Sequence, residues 1–141
     1  MSINENFEQN YNKYSFGEYV KKRRIELGIS GRELAKNIGI SAPALLEIER
    51  GSKHAPTKII DGRNRMQDLI RYLKIEEDEI PNFYEMADAT RTNYPDIDLY
   101  LSKNKLAKTA IRLAQDINLS DDEWQSFISH MQDIKSNKQI E

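Results

Sequence analysis

Two short helices joined by a glycine turn are predicted over residues 30–51, and this stretch constrains the fold more than any other part of the 141-residue chain. Its sequence is SGRELAKNIGISAPALLEIERG. Apolar or small residues recur in it at helical spacing, so each helix has one face to bury. These residues are Leu34, Ala35, Ile38, Ile40, Leu45 and Ile48.

Capping residues mark the ends of both helices. Ser30 and Glu33 form a capping box at the start of the first helix. Gly39 adopts a left-handed backbone at low steric cost and ends that helix. Ser41 caps the second helix, which stops at Gly51. A helix pair this tight is one whose second helix can enter the major groove of DNA.

The order of these residues resembles the Cro/repressor-like helix-turn-helix family, often called Xre. The resemblance extends from FGEYVKKRRIELGIS through the helix pair to ERGSKHAPT. It implies an all-α, sequence-specific DNA-binding transcriptional regulator, most simply a homodimeric repressor on a double-stranded DNA operator. The residues in register with the family pattern are Arg24, Gly28, Ser30, Glu33, Leu34, Ala35, Gly39, Ile40, Ser41, Leu45, Ile48, Glu49, Arg50 and Gly51.

Composition and the motifs that are missing argue against a metal-binding protein, an enzyme and a membrane protein. The chain has no cysteine, which excludes disulfides and thiolate zinc sites. Its two histidines, His54 and His130, are far apart in sequence, so we expect neither a metal nor a cofactor. Neither a phosphate-binding loop nor a nucleophile motif occurs, and we expect no enzymatic activity. The polar N-terminal residues and the lack of a long apolar run predict a cytoplasmic protein without membrane contact.

Charge is divided unevenly along the chain. Residues 1–75 contain 14 Lys and Arg against 9 Asp and Glu, and residues 76–141 contain 7 against 14. The first half therefore carries +5 and the second −7, which gives the net charge of −2. Binding to phosphate requires a local basic face and not a basic chain. The half with the helix pair has this excess, although plain solvated surfaces on both halves are the alternative.

Three regions are predicted. Residues 1–14 are rich in asparagine and form a mobile N-terminal arm. Residues 15–90 form a five-helix repressor-like helix-turn-helix domain, with a local insertion near residues 57–63. Residues 91–141 form a small C-terminal helical dimerisation segment, entered through a linker at residues 89–95 and ending in a frayed tail. Further helices are predicted from Arg65 to Lys74, from Glu77 to Asp88, over one or two turns at 97–101, over 105–117 and after a capping box of Ser120 and Glu123.

The N-terminal part of the second helix of the pair is expected to face base edges. The candidate base-reading residues are Ala42, Pro43, Ala44 and Glu47. The first three offer only apolar contact, which suits the methyl group of thymine. Glu47 can accept a hydrogen bond from cytosine N4, but it also repels phosphate, and a solvated surface carboxylate is an equal alternative.

Candidate phosphate ligands surround this helix. Free N–H groups and the helix dipole attract anions to helix starts, and by resemblance the loop after the second helix runs along the DNA backbone. The candidates are Ser30, Gly31, Arg32 and Ser41 at the helix starts and Lys53, His54 and Lys58 in the loop, with Arg63 and Arg65 as an extension. The resemblance also implies a structural ion pair between Arg24 and Glu49.

The last predicted helix carries an apolar stripe that needs a partner surface. Its candidate dimerisation residues are Trp124, Phe127, Ile128 and Met131. The stripe either folds back on the first domain or meets its copy in a second chain, and the second is favoured because operator binding normally uses dimers. Other partners stay open: a regulatory zinc peptidase, by resemblance, or a toxin, if the chain is an antitoxin that autoregulates its operon.

Overall fold

The computed structural model describes residues 14–140, so all but the last residue of the predicted arm lies outside the described residues. Within that range the chain contains helices, turns and one isolated β-bridge, which confirms the all-α prediction. The described residues fall into two compact units, 14–99 and 100–140. The domain boundaries drawn from the sequence stay a prediction.

Five α-helices and a short 3₁₀ turn lie wholly within the first unit. They are α1 (Phe16–Glu26), α2 (Gly31–Ile38), α3 (Ala42–Arg50), α4 (Arg65–Tyr72), the 3₁₀ turn Glu77–Glu79 and α5 (Ile80–Asp88). Helix α6 (Pro95–Lys103) crosses the division at residues 99 and 100. The second unit continues with α7 (Lys105–Asp116) and α8 (Asp121–Ile140).

Serine caps define where four helices begin, as predicted for Ser30, Ser41 and Ser120. Ser15, Ser30 and Ser41 each accept a hydrogen bond from the backbone N–H three residues on, over 3.1–3.3 Å. At α8 the box is reciprocal, because Ser120 Oγ accepts from Glu123 N while Glu123 Oε1 accepts from Ser120 N, both over 3.2 Å. The Ser120 hydroxyl, which also donates to Glu123 Oε1 over 2.8 Å, and then the Ser120 N–H lower the pKa of the Glu123 carboxyl below its ordinary value.

One hydrophobic core holds the first unit together. Helix α3 packs on α1 and α2, while α4 packs on α2 and α5 packs on α1. The core residues are Phe16, Tyr19, Val20, Leu34, Ala35, Ile38, Leu45, Ile48, Ala55, Met66, Leu69, Leu73, Ile75, Phe83, Met86 and Ala87. The position of α3 is thus set by packing on one face, which leaves its other face at the surface.

Several helix bounds differ from the predictions. The frayed tail is wrong, since α8 continues to Ile140; its polar residues lack the glycine or proline that would stop a helix. The short segment at 97–101 is the nine-residue α6, which Pro95 opens at a position where proline suits a helix. Helix α4 ends two residues early, and Lys74 has a left-handed φ of 53°.

The predicted insertion near residues 57–63 contains a two-residue hairpin turn. Ile60 and Arg63 exchange both backbone hydrogen bonds, and Asp61 and Gly62 between them have φ of 52° and 76°. Two left-handed residues in a row are the signature of a type I′ turn, for which Asp-Gly is a favoured pair. Residues 60–63 therefore form a tight, defined turn, and the insertion itself stays a prediction.

The second unit exposes its apolar side chains. Among residues 100–139, none is buried. The exposed large apolar residues of α7 and its C-cap are Leu106, Ile111, Leu113 and Ile117, and those of α8 are Phe127, Ile128, Met131 and Ile134.

Candidate nucleic-acid interface

Helix α3 has a buried face and an exposed face of contrasting chemistry. Leu45 and Ile48 are at most 5% exposed and pack into the core. The exposed face follows the spacing i, i+3, i+4 and i+7, which places its residues on one stripe. It consists of Pro43, Leu46, Glu47 and Arg50. A stripe of this width and polarity is available to a partner molecule.

Main-chain contact fixes the crossing of α1 and α3. A β-carbon added to Gly17 would clash with the carbonyl oxygen of Ile48 and lie 2.7 Å from that of Glu49. Only glycine allows the two helix backbones to come this close. Gly17 was not among the residues predicted to have a structural role.

An ion pair joins the same two helices further along. Arg24 Nε lies 2.9 Å from Glu49 Oε2, and Arg24 Nη2 lies 3.0 Å from Glu49 Oε1. The third nitrogen, Nη1, donates to the carbonyl oxygen of Ile29 over 3.0 Å. The hydrogen bond to Glu49 raises the pKa of the Arg24 guanidinium above its ordinary value. The pair implied by the resemblance therefore forms and orients the C-terminal end of α3.

The turn between α2 and α3 is stabilised by Arg63 of the hairpin and by Arg65, the first residue of α4. Gly39 has a φ of 75°, and a β-carbon there would clash with Nη1 of Arg63 and lie 2.6 Å from its Cζ. Arg63 donates from Nη2 to the carbonyl oxygen of Asn37 over 2.9 Å and pairs with Asp68 over 3.0 Å. Arg65 donates to the carbonyl oxygen of Gly39 over 3.3 Å. Both arginines thus stabilise the turn, in addition to the phosphate contact that was predicted for them.

The four candidate base-reading residues differ in exposure. Pro43 and Glu47 are exposed, whereas Ala42 and Ala44 are half-buried, and Ala42 packs against the core. Glu47 also pairs with a loop lysine, Lys53, at 3.6 Å. Within this set, Pro43 and Glu47 are therefore the residues best presented to a partner.

The candidate phosphate ligands at the helix starts are arranged around two caps. The hydroxyl oxygens of Ser30 and Ser41 accept from backbone N–H groups inside their own helices. Arg32 is exposed and Gly31 is half-buried. At these starts a phosphate would meet the remaining first-turn N–H groups and the Arg32 side chain.

The loop after α3 presents the other candidates. Lys53 and Lys58 are exposed. Ser52 fastens the start of the loop, because its N–H and its hydroxyl both donate to the carbonyl oxygen of Glu47, over 3.0 and 3.2 Å. His54 Nδ1 lies 2.7 Å from the carbonyl oxygen of Thr90. Since a carbonyl oxygen only accepts, Nδ1 carries the proton, and Nε2 is the ring nitrogen left for another partner.

Sequence reasoning missed two residues of the exposed α3 stripe, Leu46 and Arg50. Leu46 is 44% exposed, although apolar residues were assigned to the buried side. Its position one residue from Leu45 and two from Ile48 was the available signal, because neighbours at that spacing point away from each other on a helix.

The candidate dimerisation residues lie on one stripe of α8. Phe127, Ile128 and Met131 are exposed, and Trp124 is half-buried. The Trp124 and Phe127 rings meet edge to face with centroids 6.3 Å apart. This stripe is a preformed aromatic surface.

Among residues 14–140 no three His, Cys, Asp or Glu side chains are grouped to hold a metal ion, and no helix there has the length and hydropathy to cross a membrane.

Comparisons with known proteins identify the helix pair. No curated protein and no solved structure matches the chain. Residues 20–60 match the helix-turn-helix family model, which covers most of α1, the α2–α3 pair and the loop up to Ile60. Such a domain supports a DNA-binding transcriptional regulator. Over residues 20–60 the match therefore confirms the resemblance to the Cro/repressor-like helix-turn-helix family.

Proposed function

We propose that the chain is a cytoplasmic, sequence-specific DNA-binding protein without enzymatic activity that represses transcription as a homodimer. The observation that carries the proposal is the exposed α3 stripe of Pro43, Leu46, Glu47 and Arg50, on a helix whose opposite face is buried. A helix that is held by its buried face and exposes its outer face is what major-groove reading requires.

Each residue of the stripe has a partner of matching chemistry in the groove. Pro43 and Leu46 suit thymine methyl groups, and Glu47 accepts from cytosine N4. Arg50, one turn further, is suited to a phosphate at the groove edge. The α2 and α3 starts, Arg32 and the loop lysines would hold the backbone and set the orientation.

Selection of duplexes from a random pool at several salt concentrations tests the DNA-binding part. The wild-type protein should recover a defined sequence, and its affinity should fall steeply with salt as counterions are released. Leu46→Asn should change the preferred base, whereas Arg32→Ala should weaken specific and random binding alike. If the wild type binds no duplex even at low salt, the proposal is wrong.

A homodimer is supported by the uncovered apolar side chains of α7 and α8. A single helix-turn-helix covers one half-site, and operator affinity normally requires two. Aromatic and methionine side chains such as Phe127 and Met131 are typical of interface cores. Repression would then be steric, because a dimer on a near-palindromic operator excludes polymerase.

Sedimentation of the full chain tests this assembly. Phe127→Asp should shift the protein toward monomer and lower operator affinity, while Ser129→Asp, which adds the same charge off the stripe, should stay dimeric. Circular dichroism should show that both variants keep their helices. A wild-type monomer that binds its operator tightly would contradict the homodimer and favour a partner protein, such as the toxin of the antitoxin alternative.

A further inference from the structure

The loop after α3 is fastened to the end of α5 by four hydrogen bonds. Besides the bond from His54 Nδ1 to the carbonyl oxygen of Thr90, the N–H of Ala55 donates to Thr90 Oγ1 over 2.9 Å. Arg91 donates from Nε and Nη2 to the carbonyl oxygen of Ala55, over 3.2 and 3.0 Å. Residues 89–95 were predicted to be a linker, yet Thr90 and Arg91 are contacts of this loop.

These bonds satisfy the backbone N–H and the carbonyl oxygen of one buried residue, Ala55. Ala55 is 0% exposed, so its N–H and carbonyl oxygen require protein partners. Thr90 is itself anchored, because its hydroxyl donates to the carbonyl oxygen of Ala87 over 2.7 Å. The loop conformation at Ala55 therefore depends on residues outside the helix pair.

Ala55, which these bonds hold in place, directly follows the two basic residues of the loop in sequence. Lys53 and His54 immediately precede Ala55, and Ser52 is held on their other side by the carbonyl oxygen of Glu47. The two loop residues are thus fixed at both ends, between α3 and the end of α5. An exposed lysine on a free loop would have to be ordered when it binds a phosphate, at a cost in entropy.

We infer that Thr90 and Arg91 are positioning residues, which pre-order Lys53 and His54 for contact with DNA phosphates. The inference rests on the proposed DNA-binding function. It assigns no base contact to either residue, so their loss should weaken binding to all sequences alike and leave the preferred sequence unchanged.

Thr90→Val and Thr90→Ser form a matched pair for the test. Valine keeps the shape but removes both hydrogen bonds of the hydroxyl, whereas serine keeps them. Fluorescence anisotropy with the selected duplex and with random duplex should show that Thr90→Val binds both about tenfold more weakly, with the salt slope reduced by about 1. Thr90→Ser should restore the wild-type slope.

A double-mutant cycle separates loop positioning from general loss of structure. Combined with Lys53→Ala, Thr90→Val should cost much less affinity than it does alone, because the lysine it positions is gone. Combined with Arg32→Ala, a phosphate candidate on α2, its effect should be additive. Additive effects with both partners would overturn the inference.

Other outcomes also decide the question. If Thr90→Val is unfolded by circular dichroism, Arg91→Lys replaces it, since lysine keeps the charge but cannot donate the forked pair of bonds; a wild-type salt slope in that variant would overturn the inference. If the wild type binds DNA and Thr90→Val equals Thr90→Ser, the inference alone fails. If the wild type does not bind DNA, the proposed function fails.

Discussion

The ammonium group of Lys53 lies 3.6 Å from the carboxylate of Glu47, so the proposed phosphate ligand also offsets the charge of the proposed base reader. The two side chains are 54% and 55% exposed, and such a pair adds little to folding. In the proposed complex its effect would be on binding, because a carboxylate placed in the major groove would repel the phosphates that line it.

This relationship leads to a first prediction. Glu47→Gln should increase affinity for random DNA by less than about fivefold, the range of an exposed charge pair, and should change the selected base. The increase should be larger when Lys53 is alanine, since the repulsion is then unscreened. Anisotropy titrations with random duplex measure the affinity increase with and without Lys53. Glu85→Gln on α5 is the control, because it removes a carboxylate away from the α3 stripe. An unchanged selected sequence would make Glu47 a plain surface carboxylate.

Gly17 and Gly31 offer a second prediction, on stability. Both lie in the first turn or so of a helix, but a β-carbon at Gly17 meets main-chain carbonyls, while at Gly31 the nearest atom is Cζ of Arg24 at 4.0 Å. Gly17→Ala should lower the free energy of unfolding by about 1–3 kcal/mol. Gly31→Ala should leave it equal or raise it by up to about 1 kcal/mol. Urea unfolding measures the free energy of unfolding of both variants. An equal loss of stability in the two would contradict the close approach of α1 and α3.

A third prediction concerns the Arg24–Glu49 pair, whose side chains are only 14% and 3% exposed. Arg24→Met should cost about 3–5 kcal/mol of folding free energy, because it leaves a buried carboxylate without its partner. The double variant with Glu49→Leu should be more stable than Arg24→Met alone. Denaturant unfolding of the single and double variants measures the coupling. A double variant less stable than either single one would rule out an unpaired charge as the cause.

Tyr19 supports a fourth prediction, on alkaline stability. Burial, and then the charge of Glu79, raises the pKa of Tyr19 to about 12. In the unfolded chain tyrosine ionises near pH 10, so between about pH 10 and 12 the unfolded state binds fewer protons and folding stability falls as pH rises. Tyr19→Phe should lose less stability over this interval in thermal melts, and Tyr94→Phe, at an exposed tyrosine, should behave like the wild type. An identical pH dependence in Tyr19→Phe would contradict the shift.

Local signals predicted much of the helix pair. Ser30, Ser41, Gly39 and Gly51 act within three or four residues along the chain, so their caps and turns follow from short-range geometry. Helix ends without such a signal were less predictable, as with the tail that stays helical to Ile140.

The contacts that position the site depend on residues distant in sequence. Gly17 meets Ile48, Arg63 meets the Gly39 turn, and Thr90 meets Ala55. Neither periodicity nor composition encodes such pairs, because each partner looks like an ordinary helix or linker residue by itself. The Arg24–Glu49 pair was accessible only through the family resemblance.

The contact of Gly17 with the carbonyl oxygens of α3 has a consequence for how such a protein can diverge. Carbonyl oxygens are the same whatever side chains α3 carries, so this anchor survives any exchange of the outward residues that preserves the helix. New combinations at positions 43, 46, 47 and 50 would be presented at an unchanged angle. The angle at which α3 is presented and the residues that it presents can therefore change independently. A duplicated copy can acquire a new operator through a few surface substitutions.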